Sequence, residues 1–197
     1  MLIAAGAFWI GKGQAMSASE EELAYLMREG REWVNELRAE HRPGARRLEE
    51  KERRALEGFF PEAVLEAARV KQVQEIVNPA FFSVFEESGK PPPIDFSRAR
   101  AMALRDTVIV VESRANSGSR DWLELLFHEL VHCAQFFVLG EEDYYRNYVQ
   151  GWAAAGERYR GIPIEEQAYS LASRYRAEPD RSFSVEWEVR EFFSRQP

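Results

Sequence analysis

Apolar side chains recur every three or four residues along most of the chain, as they do on the buried face of an amphipathic helix. The first such run covers residues 19–42, where Ser19 and Glu22 have the spacing of a capping box and Pro43 marks the end. Its apolar positions are Leu23, Leu26, Met27, Trp33, Val34 and Leu37. The same pattern predicts further helices at about residues 45–60, 62–68, 120–139, 142–150, 164–176 and 185–194.

Two short apolar runs between the helices predict strands. Residues 98–104 and 107–112 flank a turn at Arg105 and Asp106, and the second run contains the β-branched stretch TVIVV. The segment VKQVQEIV, residues 70–77, fits either a strand or a helix. Together the patterns predict an α+β fold that is mostly helical, with a small β-sheet before the longest apolar helix.

The length of 197 residues suits one domain with its own core, and no linker is long enough to divide it. We expect an N-terminal helical segment, residues 1–60, packed on a core formed by residues 61–197. Residues 1–10 are apolar but lack the basic start of a signal peptide and are too short to span a bilayer. They predict a buried terminal segment with no membrane span, and favour the cytoplasm; a degenerate export signal or a start at Met16 are the alternatives.

The charge and the cysteine content exclude several functions. The net charge of -7 argues against nucleic acid as a partner, because nucleic-acid binders usually carry a basic excess. The basic residues that cluster between Arg46 and Arg54 alternate with glutamates such as Glu52, as on a solvated helix. The single cysteine, Cys133, excludes an intrachain disulfide and a cysteine-based zinc site. A bound metal would need histidine and carboxylate ligands.

The motif HExxH occurs as His128-Glu129-Leu130-Val131-His132, inside the predicted helix 120–139. Residues four apart on a helix differ by about 40° around the axis and by about 6 Å along it, so both imidazoles can reach one Zn²⁺. Glu129 lies beside them, where it could take a proton from water. Two of the three histidines of the chain occupy this motif. A metal-free core is the alternative, but burying these groups without a metal would require full hydrogen bonding.

A catalytic zinc ion needs a third protein ligand. Glu165 and Glu166 are candidates, because they fall in the first turn of the predicted helix that follows Pro163. His41, at the polar end of the first predicted helix, is a further candidate.

An HExxH helix followed by a later glutamate resembles the gluzincin metallopeptidases, whose third ligand lies in an ExxxD or ExxAD pattern. Glu165, with Ala168 and Tyr169 after it, fits this pattern in register, and Glu166 does not. Tyr169 replaces the usual aspartate. The stretch LFHELVHCAQF, residues 126–136, further resembles the HExxHxxQ signature of a small bacterial metallopeptidase-like family, named for the core domain of extracellular contractile injection systems. This resemblance covers roughly residues 61–175.

The resemblance implies a zincin-like fold, one Zn²⁺ ion and a peptidase that acts on a peptide or protein substrate through metal-activated water. The implied metal ligands are His128, His132 and Glu165, with Glu166 as the alternative third ligand and Glu129 as the general base. Gln135, Tyr169 and Tyr159 are candidates for supporting a ligand or an oxyanion. A non-catalytic metal-binding structural or interaction module is the alternative function, since the chain is short for a separate substrate lobe. The oligomeric state is left open.

Two features near the motif have alternative interpretations. In gluzincins the strand before the HExxH helix can be an exposed edge that pairs with a peptide, which would make TVIVV such an edge. The lack of polar alternation in TVIVV instead favours a fully buried strand. Several aromatic residues lie in the sequence between the two ligand helices, and either fill the core or include a tyrosine that donates to the substrate carbonyl. They are Tyr144, Tyr145, Tyr148, Trp152 and Tyr159.

Overall fold

The computed structural model describes residues 18–114 and 119–195. Over these residues the helices are α1 (Glu20–His41), α2 (Glu50–Leu56), α3 (Glu62–Ala67), α4 (Ser83–Glu87), α5 (Arg120–Ala154), α6 (Pro163–Ala177) and α7 (Val185–Ser194), and the strands are β1 (Arg69–Val73), β2 (Ala101–Leu104) and β3 (Thr107–Val111). The architecture is α+β and mostly helical, with a small sheet before the helix that carries HExxH. The predicted burial of residues 1–10 and most of the loop before α5 lie outside the described residues.

The N-terminal helix α1 begins and ends where the sequence predicts. The Ser19 hydroxyl accepts the backbone N–H of Glu22 at 3.1 Å, and the Glu22 carboxylate accepts the backbone N–H of Ser19 at 2.8 Å. This reciprocal pair satisfies two N–H groups that a helix start would leave unpaired.

The second predicted helix is shorter than expected. Only Glu50–Leu56 of residues 45–60 is α-helical. Arg46 instead forms an antiparallel bridge with Val70, in which each backbone N–H donates to the other residue's carbonyl at 2.9 and 2.8 Å. This pairing holds the backbone of Arg46 extended, so the helix begins only after it.

The sheet has the strand order β1-β3-β2. Strand β3 is parallel to β1 and antiparallel to β2, to which the turn at Arg105 and Asp106 connects it. Because β3 lies in the centre and is almost entirely buried, the interpretation of TVIVV as an exposed edge is wrong, and the buried alternative is confirmed. The ambiguous segment 70–77 contributes most of strand β1. Strand β2 forms the edge of the sheet on the side of α5.

Helix α5 passes through the centre of the molecule. It packs against α6, α7, α1 and strand β2. Gly140 interrupts it with φ 76° and ψ 170°, a conformation that glycine tolerates and other residues rarely adopt, so the predicted end after residue 139 corresponds to a real break. Among the described residues, α5 has the length and hydropathy to suit a membrane, but most of its apolar stretch is buried inside the protein.

Residues of the N-terminal segment share the hydrophobic core with the rest of the chain. Leu56, Phe59 and Phe60 pack in one cluster with α5, α6 and α7. Leu26 and Val34 of α1 pack in a second cluster with the sheet and the second half of α5. Thus the described part of residues 1–60 completes the core on two sides.

A buried carboxylate fastens α2 to α5. Glu52 is fully buried rather than solvated, which corrects its interpretation as part of a solvated helix. Its oxygens accept two hydrogen bonds from the Arg46 guanidinium at 2.7 and 2.8 Å, one from the Glu49 backbone N–H at 2.7 Å and one from the Trp122 indole N–H at 2.8 Å. Burial disfavours the charged carboxylate, but these hydrogen bonds and the charge of Arg46 outweigh it and lower the pKa of Glu52.

Replacing Glu52 with alanine should therefore lower the free energy of unfolding by roughly 3 kcal/mol, because it leaves the buried Trp122 N–H unpaired and removes the partner of a half-buried arginine. The exposed Arg54→Ala substitution in the same helix should cost less than about 0.5 kcal/mol. Urea unfolding of both variants measures this difference, and equal stabilities would contradict the role of Glu52.

The pH dependence of stability provides a second test of this carboxylate. Since the folded state lowers the pKa of Glu52, its contribution is fully present above the unfolded carboxyl pKa of about 4.3 and is lost as the pH falls through the lower folded value. The stability of Glu52→Gln should accordingly fall less steeply than wild type below about pH 4.5. Identical pH profiles would show that the carboxylate does not titrate with folding.

Candidate metal centre

Three buried side chains from two helices converge on one point. His128 and His132 lie one turn apart on α5, and Glu165 lies in the first turn of α6. The two histidine Nε2 atoms are 3.2 Å apart, and Glu165 Oε2 lies 3.7 Å from Nε2 of His128 and 3.5 Å from Nε2 of His132. Over the described residues, this is the group of histidine, cysteine and carboxylate side chains that is placed to hold a metal ion.

These separations fit a tetrahedral metal ion. Zinc lies about 2.0–2.1 Å from nitrogen and oxygen ligands, and ligands at the tetrahedral angle are then about 3.3 Å from one another. The observed 3.2 to 3.7 Å brackets that value. Two imidazoles and one carboxylate also form a ligand set that leaves a fourth position for water or substrate. The residues present therefore fit a zinc ion of the catalytic type.

The Glu165 carboxylate needs a positive charge beside it, which a protonated imidazole supplies in the absence of metal and a metal ion would supply in its place. Burial disfavours the charged form of Glu165, but the charge of His132 and the contacts with both imidazoles outweigh it and hold its pKa well below the usual range. Glu165 Oε2 is buried and has no hydrogen-bond partner among the described residues. A metal ion would supply the partner that this oxygen lacks, because isolated buried charges are costly.

Gln135 fixes the orientation of His132. The Nδ1–H of His132 donates to Gln135 Oε1 at 2.8 Å, which leaves the Nε2 lone pair free for a metal. The Gln135 amide in turn donates to the Ile164 carbonyl at 2.9 Å and to Gln167 Oε1 at 3.0 Å. Gln135, a sequence candidate for supporting a ligand, therefore contacts both a candidate ligand histidine and the helix that carries Glu165.

Glu129 is buried beside the cluster and lines the same cavity as its ligands. Burial raises its pKa, whereas the charges of His128 and His132 and the backbone of Ala103 favour the ionised form. Glu129 thus lies next to the three ligands without joining their convergence point.

Tyr169 occupies the position at which the gluzincin pattern has aspartate, and its ring packs against His128. Its ring centroid is 4.5 Å from that of His128, and the Arg160 guanidinium lies 6.0 Å from its centroid on the other side. Burial and then the charge of Glu165 raise the pKa of Tyr169 to about 12. His128 Nδ1 consequently has no hydrogen-bond partner among the described residues.

The other four tyrosines of the cluster all line the cavity beside the site. Tyr148 and Tyr159 line the cavity, and burial together with the charge of Glu165 raises the pKa of both phenols well above the usual value. Both phenols therefore stay neutral and able to donate. Tyr144 and Tyr145 also line the cavity, where Tyr144 stacks on Phe136 at a centroid distance of 3.6 Å and Tyr145 lies beside the Arg31 guanidinium.

Two other sequence candidates lie away from this centre, and the single cysteine is not part of it. Glu166 is exposed on the outer face of α6, so the alternative third ligand is wrong because the helix turns its carboxylate away from the histidines. His41 is also wrong as a ligand, since it lies at the end of α1 beside Glu40. Cys133 is buried, and burial raises the pKa of its thiol, as expected for an inert core residue.

A mostly apolar cavity of about 140 Å³ adjoins the metal centre. Its walls come from α1, the segments on both sides of α4, the edge strand β2, both halves of α5, Tyr159, and Glu165 of α6. The contribution of α1 and the proximity of Ala103 to Glu129 were not predicted. Both depend on how separate elements pack, and hydrophobic periodicity only reports which face of an element is buried.

Comparison of the chain with protein-family models, curated proteins and solved structures finds no match in any of the three. The resemblance to gluzincins and to the HExxHxxQ family therefore stays a prediction, and the geometry of the site carries the functional argument.

Elemental analysis of the purified protein should find close to one zinc ion per chain. Glu165→Ala should lose most of this zinc, because only two ligands remain, whereas Glu166→Ala on the outer face of the same helix should retain it. Equal zinc content in the two variants, or none in wild type after zinc is added, would contradict the assignment.

The Gln135→Leu substitution should weaken zinc affinity by about tenfold to a hundredfold, because His132 loses the acceptor that fixes its ring and tautomer. Gln150→Leu, on an exposed face of the same helix, should leave the affinity unchanged. Competition with a chelator of known affinity measures both variants, with circular dichroism as the check that they are folded. Wild-type affinity in folded Gln135→Leu would mean that the hydrogen bond to His132 is dispensable.

Proposed function

We propose that the protein is a zinc-dependent metallohydrolase with a zincin-like arrangement, and that it acts on peptide bonds. The observation that carries this proposal is the convergence of His128, His132 and Glu165 at zinc-compatible separations. The carboxylate of Glu129 borders the same cavity, which is the position that a general base needs.

His128, His132 and Glu165 would hold the ion. When bound, zinc supplies a Lewis acid that polarises the scissile carbonyl and lowers the pKa of water. Glu129 accepts a proton from the attacking water at its carboxylate and delivers it to the departing amine. Burial raises the pKa of Glu129, which favours the protonated state after that transfer. Gln135 keeps His132 in the tautomer that this chemistry requires.

The edge strand β2 favours a peptide over other substrates. The Val111 N–H donates to the Arg100 carbonyl, so in this antiparallel register Met102 and Leu104 also face β3. The backbone groups of Ala101 and Ala103 therefore point away from β3, and both residues line the cavity next to Glu129. An extended peptide that pairs with the Ala101 backbone and the Ala103 carbonyl would pass beside Glu129, whose carboxylate already takes the Ala103 N–H.

Two phenols support stabilisation of the transition state. Tyr148 and Tyr159 line the cavity near Glu165 and remain neutral donors. A neutral phenol can donate a hydrogen bond to the oxygen on which negative charge develops during attack on a carbonyl.

A non-catalytic metal-binding module is the second candidate, because the three ligands and Glu129 are each buried. The position of Glu129 opposes it, since a purely structural zinc site has no use for a buried carboxylate that does not bind the ion.

The Glu129→Gln substitution should reduce hydrolysis of internally quenched fluorogenic peptides at least a hundredfold while the zinc content stays unchanged. Glu142→Gln, an exposed substitution on the same helix, should retain wild-type turnover. Hydrolysis by Glu129→Gln at the wild-type rate would contradict the mechanism. A wild-type protein that is fully loaded with zinc yet cleaves no peptide would favour the non-catalytic module.

A further inference from the structure

The cavity beside the metal centre continues from the ligands to the inner face of α1. Its lining combines His128, His132 and Glu165 with many apolar and aromatic side chains. The aromatic members include Trp33, Phe81, Phe82, Phe96, Phe136, Tyr144 and Trp152. An apolar cavity of roughly 150 Å³ is large enough to hold benzene, so the 140 Å³ present here has room for one aromatic ring.

Gly30 forms part of the α1 wall of this cavity. It lies in the middle of the helix, where glycine is less favourable than alanine because it loses more backbone freedom on folding. A glycine in such a place commonly allows a neighbour to approach closely, as at Gly151, where a Cβ would lie 2.4 Å from Pro163 Cδ. A Cβ at Gly30 would meet nothing within 4 Å. Close packing therefore does not explain Gly30, and its effect is to leave space in the cavity.

A buried donor in the cavity wall lacks a partner. Trp152 lines the cavity and is only 5% exposed, and its indole N–H has no hydrogen-bond partner among the described residues. A buried donor without a partner is costly, and a bound group with a carbonyl oxygen would satisfy it. The wall thus combines apolar surface with a few hydrogen-bond donors, the Trp152 indole and the tyrosine phenols, as in pockets that bind small or medium-sized groups.

We propose that this cavity is a specificity pocket that takes an aromatic or large aliphatic side chain of the substrate beside the bond to be cleaved, and that Gly30 sets its depth. This inference rests on the proposed function for its link to cleavage. The pocket itself is defined by geometry: metal ligands at one end, aromatic walls and the open position at Gly30. Substrates with charged or very small side chains at that position would leave the apolar walls unfilled.

The test compares two hydroxamates on the zinc-loaded protein by isothermal titration calorimetry. Acetohydroxamate can reach only the metal, whereas 3-phenylpropanohydroxamate can also place a benzyl group in the cavity. The benzyl compound should bind about tenfold to a hundredfold more tightly in wild type, the gain expected for burying such a group. Gly30→Leu should remove most of this gain and change acetohydroxamate affinity by less than about twofold, because the leucine fills the cavity without touching the metal ligands.

Two further variants separate pocket filling from altered folding. Gly30→Ala adds one methyl group, should reduce the gain only in part, and should raise the melting temperature because alanine favours the helix. Ala24→Leu places the same leucine on the exposed face of α1 and should keep the full gain. Loss of the gain in Ala24→Leu, or its persistence in folded Gly30→Leu, would overturn the assignment.

The remaining outcomes distinguish this inference from the proposed function. Peptide cleavage without any benzyl gain would overturn the pocket and leave the hydrolase intact. A benzyl gain that Gly30→Leu abolishes, in a protein that cleaves no peptide, would support the pocket and contradict the peptidase. Failure of both hydroxamates to bind the zinc-loaded protein would overturn the two together.

Discussion

Gln135 is a fully buried amide that hydrogen-bonds to His132 within α5 and joins α5 to α6 through two further hydrogen bonds, and the arrangement of the site depends on these contacts. Through its oxygen it orients His132, and through its nitrogen it binds the carbonyl of Ile164, the residue before Glu165. Gln167 continues this series of hydrogen bonds, because its side-chain amide donates to the Glu188 carbonyl on α7 at 2.9 Å. Because an unpaired buried amide is costly, these bonds favour one position of α6 along α5, and that position brings Glu165 to the histidines.

The same packing surrounds the candidate metal centre and its cavity with three different kinds of surface. The edge strand β2 presents backbone groups on one side, the tyrosines of α5 and of the segment after it present neutral phenols, and α1 contributes an apolar surface with a gap at Gly30. Each wall offers a different interaction: pairing of an extended backbone, donation to developing charge, and burial of a side chain. A peptide is a molecule that can use all three at once, which is why the proposals for the metal centre and for the cavity agree.

The sequence predicted most of the helices and placed His128 and His132 on one face, because helical periodicity and ligand spacing are local properties, whereas the choice of Glu165 as third ligand came from the resemblance to gluzincins. Gln135 was predictable for the same reason, as it shares the ligand face of α5. Pairing between segments that are distant in the sequence was harder to predict. Arg46 bridges Val70 and delays α2, and strand β3 is central only because β1 pairs with its other side. Neither contact leaves a periodic signal in the segment concerned.

The cavity could not be predicted from the sequence for a related reason. A glycine such as Gly30 has no side chain to reveal whether it admits a neighbour, a ligand or nothing, and only the three-dimensional packing distinguishes Gly30 from Gly151. The burial of Glu52 was equally unpredictable from the sequence. Its glutamate neighbours are solvated, whereas Glu52 itself is fully buried and contacts Trp122.

The central claim is that one metal ion binds at the convergence of α5 and α6. Anomalous diffraction at the zinc absorption edge, from crystals of the zinc-loaded protein, tests this claim most directly because it locates the metal itself. The account predicts one strong peak about 2 Å from Nε2 of His128, Nε2 of His132 and a carboxylate oxygen of Glu165. A peak elsewhere, or no peak between these three side chains, would contradict it.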